Sequence, residues 1–246
     1  MKKFVALWIC FSIFFVNYVI RAMSFWPLLA LWVLGLSICL LIKNKLPGVK
    51  GILISVVFTL LDSLGLFASD KGFSGSIVIS GVLVLICSLA VISSLEKQGE
   101  IFLLRAGTKP ALMSILLGLG VGIGLGIINI LFGIRSEEIN VGFTLGRILL
   151  SLNPGILEEI CFRAVFFAFC DFGAGELKKG QRFTIWFMMI MPHVLAHGEN
   201  IIESLVLAVL FGLPFAILQR KRDIASAMIG HGVVDLIRFV VFGLPA

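Results

Sequence analysis

The sequence has few charged residues. Asp, Glu, Lys and Arg make up 14% of its 246 residues, whereas 59% are hydrophobic. A soluble domain carries about 25% charged residues, so this chain lacks the polar surface that would cover a water-soluble core. Its 22 Phe residues also exclude a disordered chain. At about 20 residues for each crossing, the length allows roughly eight or nine membrane spans and no soluble domain. We therefore predict an all-α, polytopic transmembrane helical bundle.

The expected crossings follow the apolar runs of a chain whose mean hydropathy is +1.12. These runs fall at about 4–20, 25–42, 51–68, 75–94, 111–133, 142–170, 183–198, 201–219 and 224–242.

The cysteines form no metal-binding or disulfide pattern. The five cysteines all lie within apolar runs and none forms a CxxC pair. This excludes a disulfide framework and a cysteine zinc site, and predicts buried thiols.

Basic residues exceed acidic ones by 20 to 14. They lie in short clusters between apolar runs, which is typical of membrane orientation and headgroup contact and not of nucleic-acid binding. Every second loop is basic, whereas the loop at 135–138 is partly acidic. This alternation fits nine crossings, with the N-terminus in the cytoplasm and the C-terminus outside. We expect a multi-pass protein of the cell (plasma or inner) membrane. Lys2 and Lys3 precede the first run as in a signal peptide, but no small-x-small cleavage site follows at 20–24, so we expect this helix to be retained.

Two segments depart from plain spanning helices. Gly118, Gly122 and Gly126 lie one turn apart in one apolar run, which predicts close helix–helix packing and not a phosphate loop. Asn153 and Pro154 interrupt the 142–170 run as an N-cap and a first-turn proline would. We expect a short helix over about 142–152, followed by a spanning helix that starts near Pro154.

Ionisable residues within apolar runs are costly, and they usually mark function. Glu158, Glu159 and Arg163 lie in one such run. Glu159 and Arg163 are four residues apart and can pair on one helix face, whereas Glu158 points about 100° away. A purely structural ion pair would account for Glu159 and Arg163, but it would leave Glu158 unexplained. A carboxylate in a dry pocket suits general-base work on water, so we favour Glu158 as a catalytic group.

Histidines form two further groups. His193 and His197 are four residues apart, so they point the same way and can hold a metal or a water. The Glu that follows the first His in zincins is missing, and a pair of buried core histidines is an equally good interpretation. His231 and Asp235 show the same spacing and can orient one another or face a reacting carbonyl, although a buried His–Asp pair also fits.

Helix lengths place Glu158, His197 and Asp235 nearer the same membrane face, which indicates a hydrolytic site in an intramembrane cavity. By contrast, we expect Arg147 and Arg238 to reach the interface and contact headgroups.

The ordered pattern Glu158-Glu159-x-x-x-Arg163, then His197, then His231-x-x-x-Asp235 resembles the CPBP family. These are intramembrane proteases that include CAAX prenyl proteases and bacteriocin-processing (Abi) proteins. The resemblance covers roughly residues 142–242.

The resemblance implies a role for each motif residue. Glu158 resembles the glutamate that activates water, and His197 the residue that helps to hold that water. His231 and Asp235 resemble the pair that stabilises the oxyanion. Glu159 and Arg163 resemble the supporting ion pair.

Three features depart from the family pattern. The family's second motif is Phe-x-x-x-His, but His193 stands four residues before His197. His193 is therefore either an added ligand or the motif residue itself; we prefer His197, because an apolar helix comes after it, as after the family's motif histidine. The interval from Glu158 to His197 is slightly long, and Asp235 stands where many members carry Asn.

We therefore predict an intramembrane endopeptidase with two parts: variable N-terminal helices over 1–140 and a catalytic helical core over 141–246. Its expected partners are the lipid bilayer and a peptide, leader-peptide or lipidated (CAAX-like) protein substrate. A divalent metal such as zinc is left open, with candidate ligands Glu158, His193, His197 and His231.

Two non-enzymatic alternatives compete with this prediction. An ion- or proton-coupled transporter would also use buried Glu and His, but such transporters often show inverted repeats with paired broken helices. Here the one broken segment, at 151–155, has no counterpart in the first half of the sequence. The other alternative is an immunity or scaffold protein of the same family, although the motif residues are intact.

Overall fold

The computed structural model of the protein describes residues 2–71, 74–98, 102–134, 138–173 and 176–243. Within these ranges the regular structure is entirely helical, and no strand is formed. The predicted all-α fold is confirmed.

The first half of the chain forms long apolar helices, one for each apolar run. Four of these helices bury only one stripe and turn most of their large side chains outward, as a lipid environment requires, whereas α4 is half buried. The helices are α1 (Lys2–Ile20), α2 (Phe25–Asn44), α3 (Val49–Leu66, continued by a π-helical turn Phe67–Lys71), α4 (Gly75–Gln98) and α5 (Thr108–Gly133).

The second half is built from shorter pieces. Three π-helical turns interrupt its helices, and such turns frequently occur at functional sites. The pieces are α6 (Leu145–Leu150), α7 (Leu152–Glu159), a π turn (Ile160–Ala164), α8 (Val165–Asp171), α9 (Lys179–His197), α10 (Ile201–Leu207), a π turn (Ala208–Gly212), α11 (Leu213–Ile217), a π turn (Leu218–Arg222) and α12 (Ile224–Phe242).

Seven helices among the described residues are long and apolar enough to cross a membrane. Two further segments of similar length, Leu152–Asp171 and Lys179–His197, are less apolar because they carry the buried charges and two histidines. The protein is a multi-pass integral membrane protein. In the partly acidic loop predicted at 135–138, residues 135–137 lie outside the described residues.

The predicted break in the 142–170 run is present, but the N-cap of the second helix is two positions earlier than expected. The α6–α7 boundary lies at Ser151, and Asn153 is inside α7. Asn153 is not an N-cap; its Nδ2 donates to Asp62 Oδ1 at 2.6 Å. Asp62 is fully buried in α3 and also accepts a hydrogen bond from Ser80 Oγ at 2.8 Å. The start of α7 is thus anchored to α3 and α4 by a buried carboxylate.

The glycine stripe of α5 packs against α12, as predicted. A Cβ built on Gly118 would lie 2.7 Å from the Ser226 carbonyl oxygen, and one on Gly122 would lie 2.7 Å from the Gly230 carbonyl oxygen. Gly126 faces Ile237 in the same way. The two helices approach this closely only because these positions lack a side chain.

Helix α1 is part of the core. Phe4, Leu7 and Phe14 are buried in the cluster that also holds the side chains around the two glutamates of α7. The Lys3 ammonium donates to the carbonyl oxygens of Phe169, Cys170 and Phe172 at the end of α8. A cation at the C-terminus of a helix satisfies carbonyl groups that have no partner within the helix.

Two sequence expectations need correction here. All five cysteines are free thiols as predicted, but Cys10 and Cys39 are exposed on the outer surface and not buried. Arg147, which we expected to contact headgroups, forms hydrogen bonds within the protein. Its Nη1 donates to the carbonyl oxygens of Asn140, Gly142 and Val240, which ties the chain before α6 to the end of α12.

Candidate active site

Glu158 and Glu159 form the last turn of α7, directly before the π turn Ile160–Ala164. Glu159 is completely buried, whereas Glu158 keeps 9% of its surface exposed. Consecutive helical residues point about 100° apart, so one glutamate enters the core and the other faces a cavity.

Glu159 is the centre of a buried hydrogen-bond network. Its Oε1 accepts from Arg163 Nη1, and its Oε2 accepts from Gln219 Nε2 at 3.0 Å. Oε1 also lies 2.7 Å from His231 Nδ1. A buried carboxylate needs such compensation, so Glu159 acts as an anchor for three elements.

His193 lies directly against Glu158. Its Nε2 is 2.7 Å from Glu158 Oε2, and its Nδ1 is 3.1 Å from Arg163 Nη2. A guanidinium can only donate, so Nδ1 accepts and the neutral ring carries its proton on Nε2. His193 therefore donates to Glu158, and Arg163 fixes that tautomer.

His197 lies one turn further, at the end of α9. Its Nε2 is 3.7 Å from Glu158 Oε2 and 3.1 Å from His193 Nε2, and 44% of its side chain is exposed. The Trp26 ring packs edge-on against it, with centroids 4.8 Å apart. His197 is thus at the mouth of the cavity and His193 at its wall.

His231 and Asp235 approach from α12. His231 Nε2 lies 3.3 Å from Glu158 Oε2 and 3.4 Å from Asp235 Oδ2. The ring stacks on Phe215, with centroids 4.7 Å apart. Asp235 Oδ2 is buried without a hydrogen-bond partner of good geometry in the structure. An unsatisfied carboxylate oxygen facing a cavity is ready to accept a donor from a ligand.

These side chains line one cavity of about 400 Å³. Its remaining wall is both apolar and polar and includes Arg238, which the sequence predicted to contact headgroups. All the sequence-predicted site residues therefore lie in or directly behind this cavity: Glu158, Glu159, Arg163, His193, His197, His231 and Asp235.

The residue types around Glu158 suit zinc. A carboxylate oxygen of Glu158 and one nitrogen each of His193 and His197 lie within 4.8 Å of one another, and two His with one Glu is a known zinc set. The hydrogen bonds do not suit it. A ligand nitrogen needs a free lone pair, whereas the Arg163 contact leaves the proton of His193 on Nε2, the nitrogen that faces Glu158. As arranged, His193 does not fit a metal on this side.

Sequence reasoning missed two residues that complete the site. Gln219 also donates to the Glu159 carbonyl oxygen at 2.8 Å. The Phe215 ring stacks against the His231 ring and contacts the Arg163 guanidinium. The signal for Gln219 was present, since it is an amide in the last turn of an apolar run. Phe215 had no signal, because it is one of 22 Phe residues.

Residues 140–237 match the family model described as type II CAAX prenyl endopeptidase, Rce1-like. No curated protein and no solved structure matches the chain. The matched segment contains every residue of the cavity cluster from Glu158 to Asp235.

Proposed function

We propose that the cavity is the catalytic site of an intramembrane endopeptidase in which Glu158 activates water. The match of residues 140–237 to the type II CAAX prenyl endopeptidase model supports this proposal. The observation that carries this proposal is the position of Glu158 Oε2. It lies 2.7, 3.7 and 3.3 Å from the Nε2 atoms of His193, His197 and His231, at the wall of an open cavity. A carboxylate held by ring nitrogens beside a space for substrate is a general-base arrangement.

In the proposed reaction, Glu158 takes a proton from a water while the water oxygen attacks the carbonyl carbon of the scissile peptide bond. The tetrahedral intermediate carries its negative charge on the former carbonyl oxygen. When the intermediate collapses, the C–N bond breaks and Glu158 returns the proton to the leaving amine.

His193 and His197 hold the nucleophile in this scheme. His193 fixes the Glu158 carboxylate through its Nε2–H, and Arg163 behind it fixes the ring. His197, exposed at the mouth, orients the water from the open side.

His231 and Asp235 serve the oxyanion. A doubly protonated His231 donates from Nδ1 to Glu159 and offers its Nε2–H to the oxyanion. Hydrogen-bond donors that are already directed at the developing negative charge lower the activation barrier. Asp235 would contribute as a donor in its neutral form, and otherwise orients the ring. Glu159 acts through His231 and Arg163 as a positioning residue.

We propose glutamate chemistry without a metal for this arrangement, on the ground of the His193 tautomer. A bound zinc would instead polarise the carbonyl and lower the pKa of its water. Glu158, His193, His197 and His231 would be its candidate ligands.

The proposed substrates are peptides presented at or within the bilayer, either a lipidated C-terminal CAAX-like segment or a leader peptide. The proposed division of labour assigns catalysis to residues 141–246 and leaves the helices of 1–140 as the variable part. The membrane in question is proposed to be the plasma or inner membrane.

The test is cleavage of internally quenched peptides by purified protein in detergent. One peptide ends in a farnesylated cysteine followed by two aliphatic residues and a terminal residue; its twin lacks the lipid. Cleavage by the wild type that falls at least about 10³-fold in Glu158→Gln supports the proposal, because the amide keeps the shape of the carboxylate but not its basicity. Equal cleavage by both proteins would remove Glu158 from its role, and loss of cleavage in chelator would reverse the metal-free part. No cleavage of either peptide would favour a transporter, which a proton-flux assay in vesicles would detect.

A further inference from the structure

Trp26, in the first turn of α2, lies against the histidines at the mouth of the cavity. Its ring is edge-on to His197, with centroids 4.8 Å apart and an angle of 85° between the two planes. It also contacts His193 and Phe162, with centroids 6.0 and 5.8 Å away. Trp26 lies outside the segment 140–237 that matches the family model. The N-terminal helices therefore contribute a side chain to the candidate site.

Hydrogen bonds alone do not hold the His197 ring. His197 is the last residue of α9, and almost half of its side chain is exposed. Its Nε2 lies 3.1 Å from His193 Nε2, but the proton on that atom is directed at Glu158, 2.7 Å away. Glu158 Oε2 is 3.7 Å from His197 Nε2, which is longer than a hydrogen bond. The orientation of the His197 ring must therefore come mainly from packing.

The Trp26 ring supplies that packing. Two aromatic rings at this distance and angle form an edge-to-face pair, which the charge distribution of their π systems favours. A turn of the imidazole about its side-chain bonds would break this contact, so one orientation is preferred. His193 has the Arg163 guanidinium to fix its ring, and His197 has the indole of Trp26.

The position of Trp26 is fixed because the α1–α2 connection and its flanking turns pack against those of α9 and α10. Tyr18 Oη lies 3.1 Å from Ser204 Oγ in a buried contact. Arg21 donates to the carbonyl oxygen of Glu199, two residues after the end of α9. These contacts tie the start of α2 to the end of α9, so the indole and the imidazole are held against one another.

We infer that Trp26 is a positioning residue of the active site, which holds the His197 imidazole in the orientation that delivers water to the scissile bond. The inference rests on the proposed endopeptidase function and adds to it a residue from the first half of the chain. Trp26 acts through His197 and takes no part in binding the peptide. Its removal therefore lowers kcat and leaves KM nearly unchanged.

The kinetic test is a double-mutant cycle on Trp26 and His197. Both kcat and KM are measured with the quenched peptides for wild type, Trp26→Ala, His197→Ala and the double variant, and also for Trp26→Phe. Leu31→Ala is the matched control, because Leu31 is another exposed apolar residue of α2. If Trp26→Ala does not fold, Trp26→Leu takes its place, since leucine keeps apolar bulk without a ring.

We expect Trp26→Ala to lower kcat about 10-fold. The free energy of an edge-to-face pair corresponds to roughly 2- to 12-fold, and a misplaced catalytic group adds to that loss. Trp26→Phe keeps an aromatic partner and should retain most of the activity. In the His197→Ala background, removal of the indole should have no further effect, because its partner ring is already absent. Leu31→Ala should match the wild type.

A second measurement does not depend on activity. The chain has three histidines, so the ring resonances of ¹³C-labelled histidine can be assigned in detergent by replacing each in turn with glutamine. An aromatic ring shifts the resonances of nuclei that lie close to it. Trp26→Ala should therefore move the His197 signal, whereas Leu31→Ala should leave it in place.

Several results would overturn the inference. Unchanged kcat in Trp26→Ala would do so, and an accompanying rise in KM would show that the indole binds the peptide instead. Independent losses in the double-mutant cycle would show that Trp26 does not act through His197. An unmoved His197 resonance in Trp26→Ala would show that the two rings are not in contact. If the wild type cleaves neither peptide, the endopeptidase proposal fails, and the resonance alone decides whether Trp26 holds His197.

Discussion

Replacing Gly122 with alanine should separate α5 from α12, the helix that carries His231. The added Cβ would lie 2.7 Å from the Gly230 carbonyl oxygen and 2.7 Å from Val233 Cβ. An ordinary contact is about 3.4 Å, so α12 must move by about 0.7 Å, at a cost of about 1–3 kcal/mol for overpacking. Gly230 directly precedes His231, whose Nε2 lies 3.3 Å from Glu158. A misplacement of about 1 Å can cost about 10²-fold in rate, so we expect a loss of at least about 10-fold in kcat.

Gly120 in the same helix provides the control, since a Cβ built there meets nothing within 4 Å. Both alanines gain about 1 kcal/mol of helix propensity, so the difference between the variants isolates the packing effect. Thermal unfolding in detergent and peptide cleavage are measured on both proteins. If Gly120→Ala and Gly122→Ala show the same stability and the same kcat, the close approach of α5 and α12 does not position His231.

Three further predictions test polar contacts in and around the site. Arg163→Met should cost about 3–5 kcal/mol of unfolding free energy because it leaves the Glu159 carboxylate buried without its cation, and adding Glu159→Gln should recover most of the loss; additive losses in a thermal-melt double-mutant cycle would contradict the pairing. His193→Ala should lower kcat/KM at least ten times more than His197→Ala in the cleavage assay, since their Nε2 atoms lie 2.7 and 3.7 Å from Glu158; the reverse order would assign the main role to His197. Asp62→Ala should cost about 1–3 kcal/mol in the same melts by stranding its two buried donors, whereas Asp62→Asn should keep most of the stability; equal losses would argue against a hydrogen-bonding role.

The helices were predictable because the physics that places them is local. A run of about 20 apolar residues has one stable form in a bilayer, so each run gave a helix. The convergence of Glu158 with His231 also followed from the sequence, since costly polar groups in separate helices must find one another. The segment that matches the family model, residues 140–237, includes all of these motif residues.

The parts that could not be predicted depend on contacts between distant helices. The π turn Ile160–Ala164 carries Arg163 toward both Glu159 and His193, and periodicity alone predicts only the first contact. Asn153 is a residue type that commonly caps helices, and it directly precedes a proline. Its side chain instead donates to Asp62 in α3, a partner that no local sequence pattern indicates.

The contact of Lys3 with the carbonyl groups at the end of α8 has a consequence for how the molecule is made. Lys3 precedes its partners Phe169 and Cys170 by more than 160 residues in the chain, so it leaves the ribosome that much earlier. At a synthesis rate of about 5–20 residues per second, α1 must therefore persist in the bilayer for roughly ten seconds or more before its partner helix arrives. A fragment that begins near residue 140 would contain the whole motif and still lack this cap. We expect assembly of the site to be among the last events in biogenesis, and a separately expressed N-terminal helix to restore what the fragment lacks.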